Sequence, residues 1–188
     1  MEWSNLKLSP VNISGRGVKT STLLNGKERL DTVFLEPTQC LFAPSTFDKD
    51  PDATRQGIPF AITQEISEFF TSLDIWAKKY IEDESERLSG KELSAEHVDF
   101  AYKSCIKDTP KGSLLKLKIN MPNSARPCKF WDSDGKETEW PIDWNTEFKM
   151  RIRISHLYIM GAGAKAEFGF VCIAEDLLPQ KTIRASPF

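Results

Sequence analysis

From Leu114 onward, hydrophobic and polar residues alternate with a period of two. The runs "LLKLKINM", "CKFW", "FKMRIRI" and "AEFGFVCIAEDLL" each read as a half-buried strand. The first sixty residues are also β-like. "GVKTSTLLNG" ends at an Asn25-Gly26 turn, and "DTVFLEPTQCLFAP" is rich in β-formers broken by Pro37 and Pro44. "STFDKDPDATRQGIP" is polar, with Gly57 and two prolines, and predicts a loop. Between these regions the period changes to 3.6. Ile66, Phe69, Phe70, Leu73, Trp76, Ala77 and Tyr80 mark a helix capped by Thr63, running through "EDESER" to Ser89-Gly90. A shorter helix starts at Ser94 and carries Val98, Ala101, Tyr102 and Cys105 on one face. The order strands, helices, strands predicts an α+β fold whose strands form a highly curved sheet or barrel.

Successive side chains on a strand point to opposite faces, so each run sorts into two sets. Leu115, Leu117, Ile119 and Met121 share one face, as do Cys128 with Phe130, and Phe148, Met150, Ile152 and Ile154. The opposite faces present Lys116, Lys118, Lys129, Trp131, Lys149, Arg151 and Arg153, with no acid among them. Cations neutralise phosphates, and an exposed ring stacks on an unpaired base of any identity. Trp131, beside the turn Asp132-Ser133-Asp134-Gly135, is the stacking candidate, and Phe130 points into the core.

Charge sharpens this picture. The net charge is only −2, but residues 60–100 hold ten acids against four bases, and residues 101–158 hold eleven bases against seven acids. The helices are therefore acidic and the later strands basic, unlike duplex binders that read a groove with a basic helix. The four cysteines, Cys40, Cys105, Cys128 and Cys172, have no CxxC spacing and no nearby histidine, which predicts buried free thiols. No apolar run is long enough to span a bilayer, and "MEWSNLKLSP" lacks the features of a secretory signal, so a soluble intracellular protein is expected.

Chemistry competes weakly. Asp132, Asp134, Glu137 and Glu139 resemble a calcium loop, but Gly135 comes too early for the EF-hand spacing. Asp143, Glu147 and Lys149 are the residue types of a metal-dependent nuclease. Its carboxylates usually come from separate strands, whereas these lie four residues apart. His97 and His156 are isolated, and no phosphate-cradling glycine loop precedes a Lys-Ser/Thr pair, so no cofactor is expected.

The succession "SLLKLKINMP", "PCKFWDSDGKE" and "TEFKMRIRISHLYIMGAGAKAEFGFVCIAEDLL" resembles the OB-fold single-stranded DNA-binding proteins of double-stranded DNA phages and large DNA viruses. The likeness rests on Lys116 and Lys118, on Trp131-Asp132-Ser133-Asp134-Gly135, and on Phe168-Gly169, over about residues 112–178. It implies an OB-type barrel of curved antiparallel sheet, with a helical insertion over residues 63–107, inside a single domain of residues 1–188. It implies non-catalytic, sequence-tolerant binding of single-stranded DNA in replication, recombination or repair, in a host cytoplasm or nucleoid. A Pro187-Phe188 terminus would then dock replication proteins. This tail, residues 179–188, carries Lys181 and Arg184 where bacterial-type binders have acids. A homodimer is compatible with this picture, and residue types do not separate DNA from RNA. The alternatives are a metal-dependent nuclease using Asp143 and Glu147, and a protein–protein adaptor whose basic face meets an acidic partner.

Overall fold

The computed structural model describes residues 3–13, 18–45, 50, 52–110, 112–141 and 144–180. Strands β1 (Leu6–Leu8), β2 (Asn12–Ile13), β3 (Lys19–Ser21), β4 (Leu23–Asn25), β5 (Glu28–Gln39) and β6 (Arg55–Ala61) come first. Helices α1 (Gln64–Asp83), α2 (Ser85–Ser89) and α3 (Ala95–Ala101) follow. Strands β7 (Tyr102–Lys103), β8 (Ile106–Thr109), β9 (Gly112–Asn120), β10 (Lys129–Trp131), β11 (Glu137–Thr138), β12 (Glu147–Met160) and β13 (Glu167–Gln180) complete the chain. The fold is thus α+β, mostly strand, with a central helical segment. Two compact units share it: Met1–Asp31, Ile66–Ile106 and Arg153–Cys172 form the first, and Thr32–Glu65, Lys107–Ile152 and Ile173–Phe188 the second.

In the first unit, α1 buries Ile66, Phe70, Leu73, Ala77 and Ile81, an apolar stripe at helical spacing. The turn after α2 is fixed by buried hydroxyls. Ser85 donates to the Glu82 carbonyl at 3.0 Å and accepts from the Leu93 N–H at 3.0 Å, while Gly90 ends α2 at φ 85°. Ser94 caps α3, accepting from the His97 N–H. The helical segment ends at Ala101, and Tyr102 begins β7, which pairs parallel with β13 through Phe168 and Gly169. A Cβ at Gly169 would stand 2.7 Å from Tyr158 Oη and 2.8 Å from the Lys103 carbonyl oxygen, so only glycine lets β7 approach.

In the second unit, β6 and β9 form an antiparallel ladder of seven pairs, from Arg55↔Asn120 to Ala61↔Leu114. Residues 55–61 are therefore strand, the first five of them where the polar composition predicts loop. The Gly57-Pro59 pair disguises an alternation that buries Ile58 and Phe60. β13 pairs parallel with β9 (Ile173↔Lys118) and with β10 (Phe130↔Leu177). The expectation of a purely antiparallel sheet is thus corrected. The chain crosses through β12 before reaching β13, so β9 and β10 meet β13 running the same way.

The Cys40 N–H donates to the Thr146 carbonyl at 3.0 Å, and Thr146 Oγ1 donates to the Gln180 carbonyl at 3.1 Å. The start of β12 thereby sits between the ends of β5 and β13. From β5 and the segment after it back to β6, the contacts are Thr38 Oγ1 donating to the Ala61 carbonyl at 2.7 Å and two isolated bridges, Cys40↔Phe60 and Ser45↔Gly57, with the Leu41 N–H donating to the Pro59 carbonyl. Among the described residues, then, the ladders do not close a barrel. Phe130 lies at the centre of this unit's core, with ring centroids 5.1 Å from Trp140, 5.7 Å from Trp144 and 6.3 Å from Phe148.

Candidate nucleic-acid interface

The β6–β9 ladder sets up the first cleft. Leu115, Leu117 and Ile119 are buried, which turns Lys116 and Lys118 outward. Opposite them on β6 stand Pro59 and Gly57, neither with a long side chain to cover them. Two register steps beyond the Gly57↔Lys118 pair, Arg55 Nε donates to Asn120 Oδ1 at 2.9 Å, and Asn120 is fixed in turn by its Nδ2 donating to the Arg126 carbonyl at 2.9 Å. Lys107, on β8, completes a cleft of about 490 Å³ lined also by Ser45, Gln56, Ile58 and Leu114. Its lining thus carries four cations and no carboxylate. The Lys118 ammonium is held below its ordinary pKa, first by desolvation and then by repulsion from Lys116 and Arg55. An anion placed there would relieve that repulsion.

The second cleft surrounds the hairpin. Phe130 is 1% exposed, and Lys129 and Trp131 lie on the opposite face of β10, exposed and half-buried respectively. The Trp131 indole Nε1 donates to Asp176 Oδ1 at 2.7 Å. The Arg151 guanidinium grips the other carboxylate oxygen of Asp176 through Nε and a terminal nitrogen. Lys129 Nζ sits 5.5 Å from the Trp131 ring centroid and pairs with Glu137 at 2.8 Å. Lys149, Val33, Leu35, Met150 and Leu178 complete a cleft of about 380 Å³. Val33 and Leu35 are 53% and 66% exposed, an apolar wall beside the cations.

This geometry corrects the expectation of faces free of acid. Alternation sorts one strand at a time, whereas Asp176 and Glu137 arrive from neighbouring strands. Along β13, Lys118 is paired with Ile173 and Lys129 with Asp176, three residues further on. Arg153 falls in the first unit and is half-buried there. Arg55 and Lys107 were not singled out from the sequence. The signal for Arg55 is the Ile58/Phe60 alternation that begins three residues downstream.

The Asp132 carboxylate of the hairpin has backbone partners. Asp132 Oδ1 accepts from the N–H groups of Asp134 and Lys136, both at 2.9 Å, and Gly135 takes φ 75°. Among the described residues, no group of three or more His, Cys, Asp or Glu side chains is placed to hold a metal. Glu147 is exposed at the start of β12, while Asp143, Pro187 and Phe188 lie outside the described residues. His97 and His156 each meet a neighbouring serine hydroxyl. The four cysteines are buried free thiols, with Cys105 and Cys172 Sγ atoms 3.4 Å apart. Burial pushes the Cys40 thiol up to about 11 and raises Cys172 further from ionisation. No helix among the described residues is long and apolar enough to cross a membrane.

No protein-family model matches the chain, and no curated protein matches it. Its fold resembles solved phage proteins at low identity. It matches gp2.5, a single-stranded DNA-binding protein encoded by bacteriophage T7, with a TM-score of 0.50 and 12% identity, over 79% of this chain and 90% of that one. It also aligns with the single-stranded DNA-binding protein of bacteriophage Enc34, solved in complex with ssDNA, at a TM-score of 0.45 and 9% identity, over 93% of this chain and 92% of that one. A C-terminal truncation of the Enc34 protein aligns at 0.45 and 10% identity, over 98% and 99% of the two chains. The T7 protein is of the OB-fold class, and the likeness to it is one of fold.

Proposed function

We propose that this chain is a non-catalytic, sequence-tolerant single-stranded DNA-binding protein of the OB type, acting in replication, recombination or repair. The observation that carries nucleic-acid binding is the β6–β9 cleft, where Arg55, Lys107, Lys116 and Lys118 line one groove without a carboxylate, and the preference for a single strand rests on the Trp131 ring in the hairpin cleft. Cations held that close together are costly unless an anion shares the site, and a phosphate backbone supplies one at every residue. Lys129, Trp131, Lys149 and Arg151 form the second part of the surface, where the Trp131 ring stacks on a base. Arg153 falls in the other unit and is not counted with them. The fold, with the isolated Cys40↔Phe60 and Ser45↔Gly57 bridges in place of a closing ladder among the described residues, suits the partly open OB barrel.

Binding of labelled oligo-dT, oligo-U and a duplex, each across a salt series with and without Mg²⁺, tests the proposal. Tight, salt-dependent binding of oligo-dT, weaker binding of duplex and no cleavage are expected. Equal affinity for duplex and single strand at moderate salt would overturn it.

A further inference from the structure

We infer that Asp176 is the residue that sets the strength and the salt response of single-strand binding at the hairpin cleft. This inference rests on the single-stranded DNA reading given above. One carboxylate oxygen of Asp176 holds the edge of the Trp131 indole at 2.7 Å, and the other is gripped by the Arg151 guanidinium. The side chain of Asp176 is 15% exposed and that of Arg151 43%, so the pair is partly shielded from salt. Its place is fixed from both sides: Lys129 is its β10 partner in the register, and the next residue, Leu177, is buried opposite Phe130.

The carboxylate therefore does two opposed things. It orients the ring that would stack on a base, which favours binding. It also neutralises the Arg151 guanidinium, so a phosphate reaching Arg151 must compete with Asp176. In the β6–β9 cleft no lining acid plays that part. The acid thus holds the hairpin cleft below the affinity its cations could give.

Asp176→Asn separates the two roles, because the amide oxygen still accepts from the indole while the charge is gone. Fluorescence anisotropy of labelled oligo-dT with the full chain, across a salt series, should show the variant binding several-fold tighter at low salt. Its log–log slope should be steeper by about 0.7, the share of one further phosphate neutralised on a single strand. In an Arg151→Gln background the same substitution should bring no gain. Arg151→Gln alone keeps Asp176 and should flatten the slope by clearly less than about 0.7.

An Asp176→Asn protein that binds no tighter, with an unchanged slope, overturns the inference alone. So does an Arg151→Gln protein that loses a full phosphate's worth of slope, an arm that stands even where the Asn variant folds poorly. A wild-type chain that fails to bind oligo-dT at any salt overturns the function itself, and this inference with it.

Discussion

Replacing Lys116 and Lys118 together by glutamine removes two of the four cations that line the β6–β9 cleft. Each phosphate neutralised on a single strand contributes about 0.7 to the log–log slope of affinity against salt, so four cations give about −2.8 and two about −1.4. Between about 50 and 200 mM salt those slopes correspond to affinity losses of about 50-fold and about 7-fold. The double variant should therefore bind oligo-dT more weakly at low salt and be less sensitive to added salt, its curve converging on wild type as salt rises. Anisotropy titrations read both quantities.

Folding should be untouched. Both side chains are exposed and face Pro59 and Gly57 across the ladder. Lys118 also carries a lowered pKa, so its charge works against the fold at neutral pH. That cost is fully present below the lowered value and is relieved as pH rises through it towards the ordinary 10.5. Lys118→Gln should accordingly melt no lower than wild type at neutral pH. An unchanged slope in the double variant would refute the reasoning, because it would mean that these lysines do not meet phosphate.

Three further outcomes follow from the same geometry. Trp131→Ala should cost about 1–3 kcal/mol of oligo-dT binding through lost stacking, whereas Phe130→Ala should cost about 3–5 kcal/mol of folding stability in thermal or urea melts. Gly169→Ala would drive a Cβ to 2.8 Å from the Lys103 carbonyl, a cost of about 1–3 kcal/mol. It should be visible as about 2–4 °C of melting temperature per kcal/mol. The native protein's four thiols should resist a disulfide reagent at about pH 8, Cys40 having been moved from 9.0 to about 11. Because that value is raised, Cys40 supports the fold fully below pH 9 and loses this support as pH climbs to about 11, so a Cys40→Ala variant should lose less stability over that range in alkaline melts than wild type, the remainder coming from Cys128, Cys172, Tyr102 and Tyr158.

Local periodicity told most of the story of the elements. Ile66, Phe70, Leu73 and Ala77 are buried as their spacing requires, and Phe130 is buried with Lys129 and Trp131 opposite. Phe69, Trp76 and Tyr80 belong to the same apolar set yet are only half-buried, with the Trp76 and Tyr80 rings 5.2 Å apart. A periodic stripe gives the direction of a face, but not how much of it is covered. Long-range register stayed hidden. Nothing within residues 128–141 shows that Asp176 lies beside Lys129, because that pairing joins segments about fifty residues apart through a parallel ladder. The same is true of Arg55, which joins the lysine cleft only because β6 pairs with β9. Turn residues gave a local signal that did hold: Asp132 and Gly135 build the hairpin turn that their identities suggest.

The two clefts cannot be interchangeable, and the reason is electrostatic. Duplex DNA carries more charge per length than a single strand and releases more counterion per contact, about 0.9 against about 0.7 in slope. A basic groove acting alone would therefore favour duplex. Preference for a single strand needs something that only an unpaired base offers, and a ring face is the simplest such thing. On this surface the ring proposed for that part is Trp131, half-buried, its edge tied to Asp176 and Lys129 Nζ 5.5 Å from its centroid. Loss of Lys116 and Lys118 should then weaken single-strand and duplex binding together, with their ratio little changed. Loss of the Trp131 ring should weaken only the single strand and move the ratio towards duplex. A Trp131→Ala protein that keeps the wild-type ratio while binding both more weakly would locate the selectivity elsewhere, with Trp140 and Trp144, both half-buried against Phe130, the next rings to test.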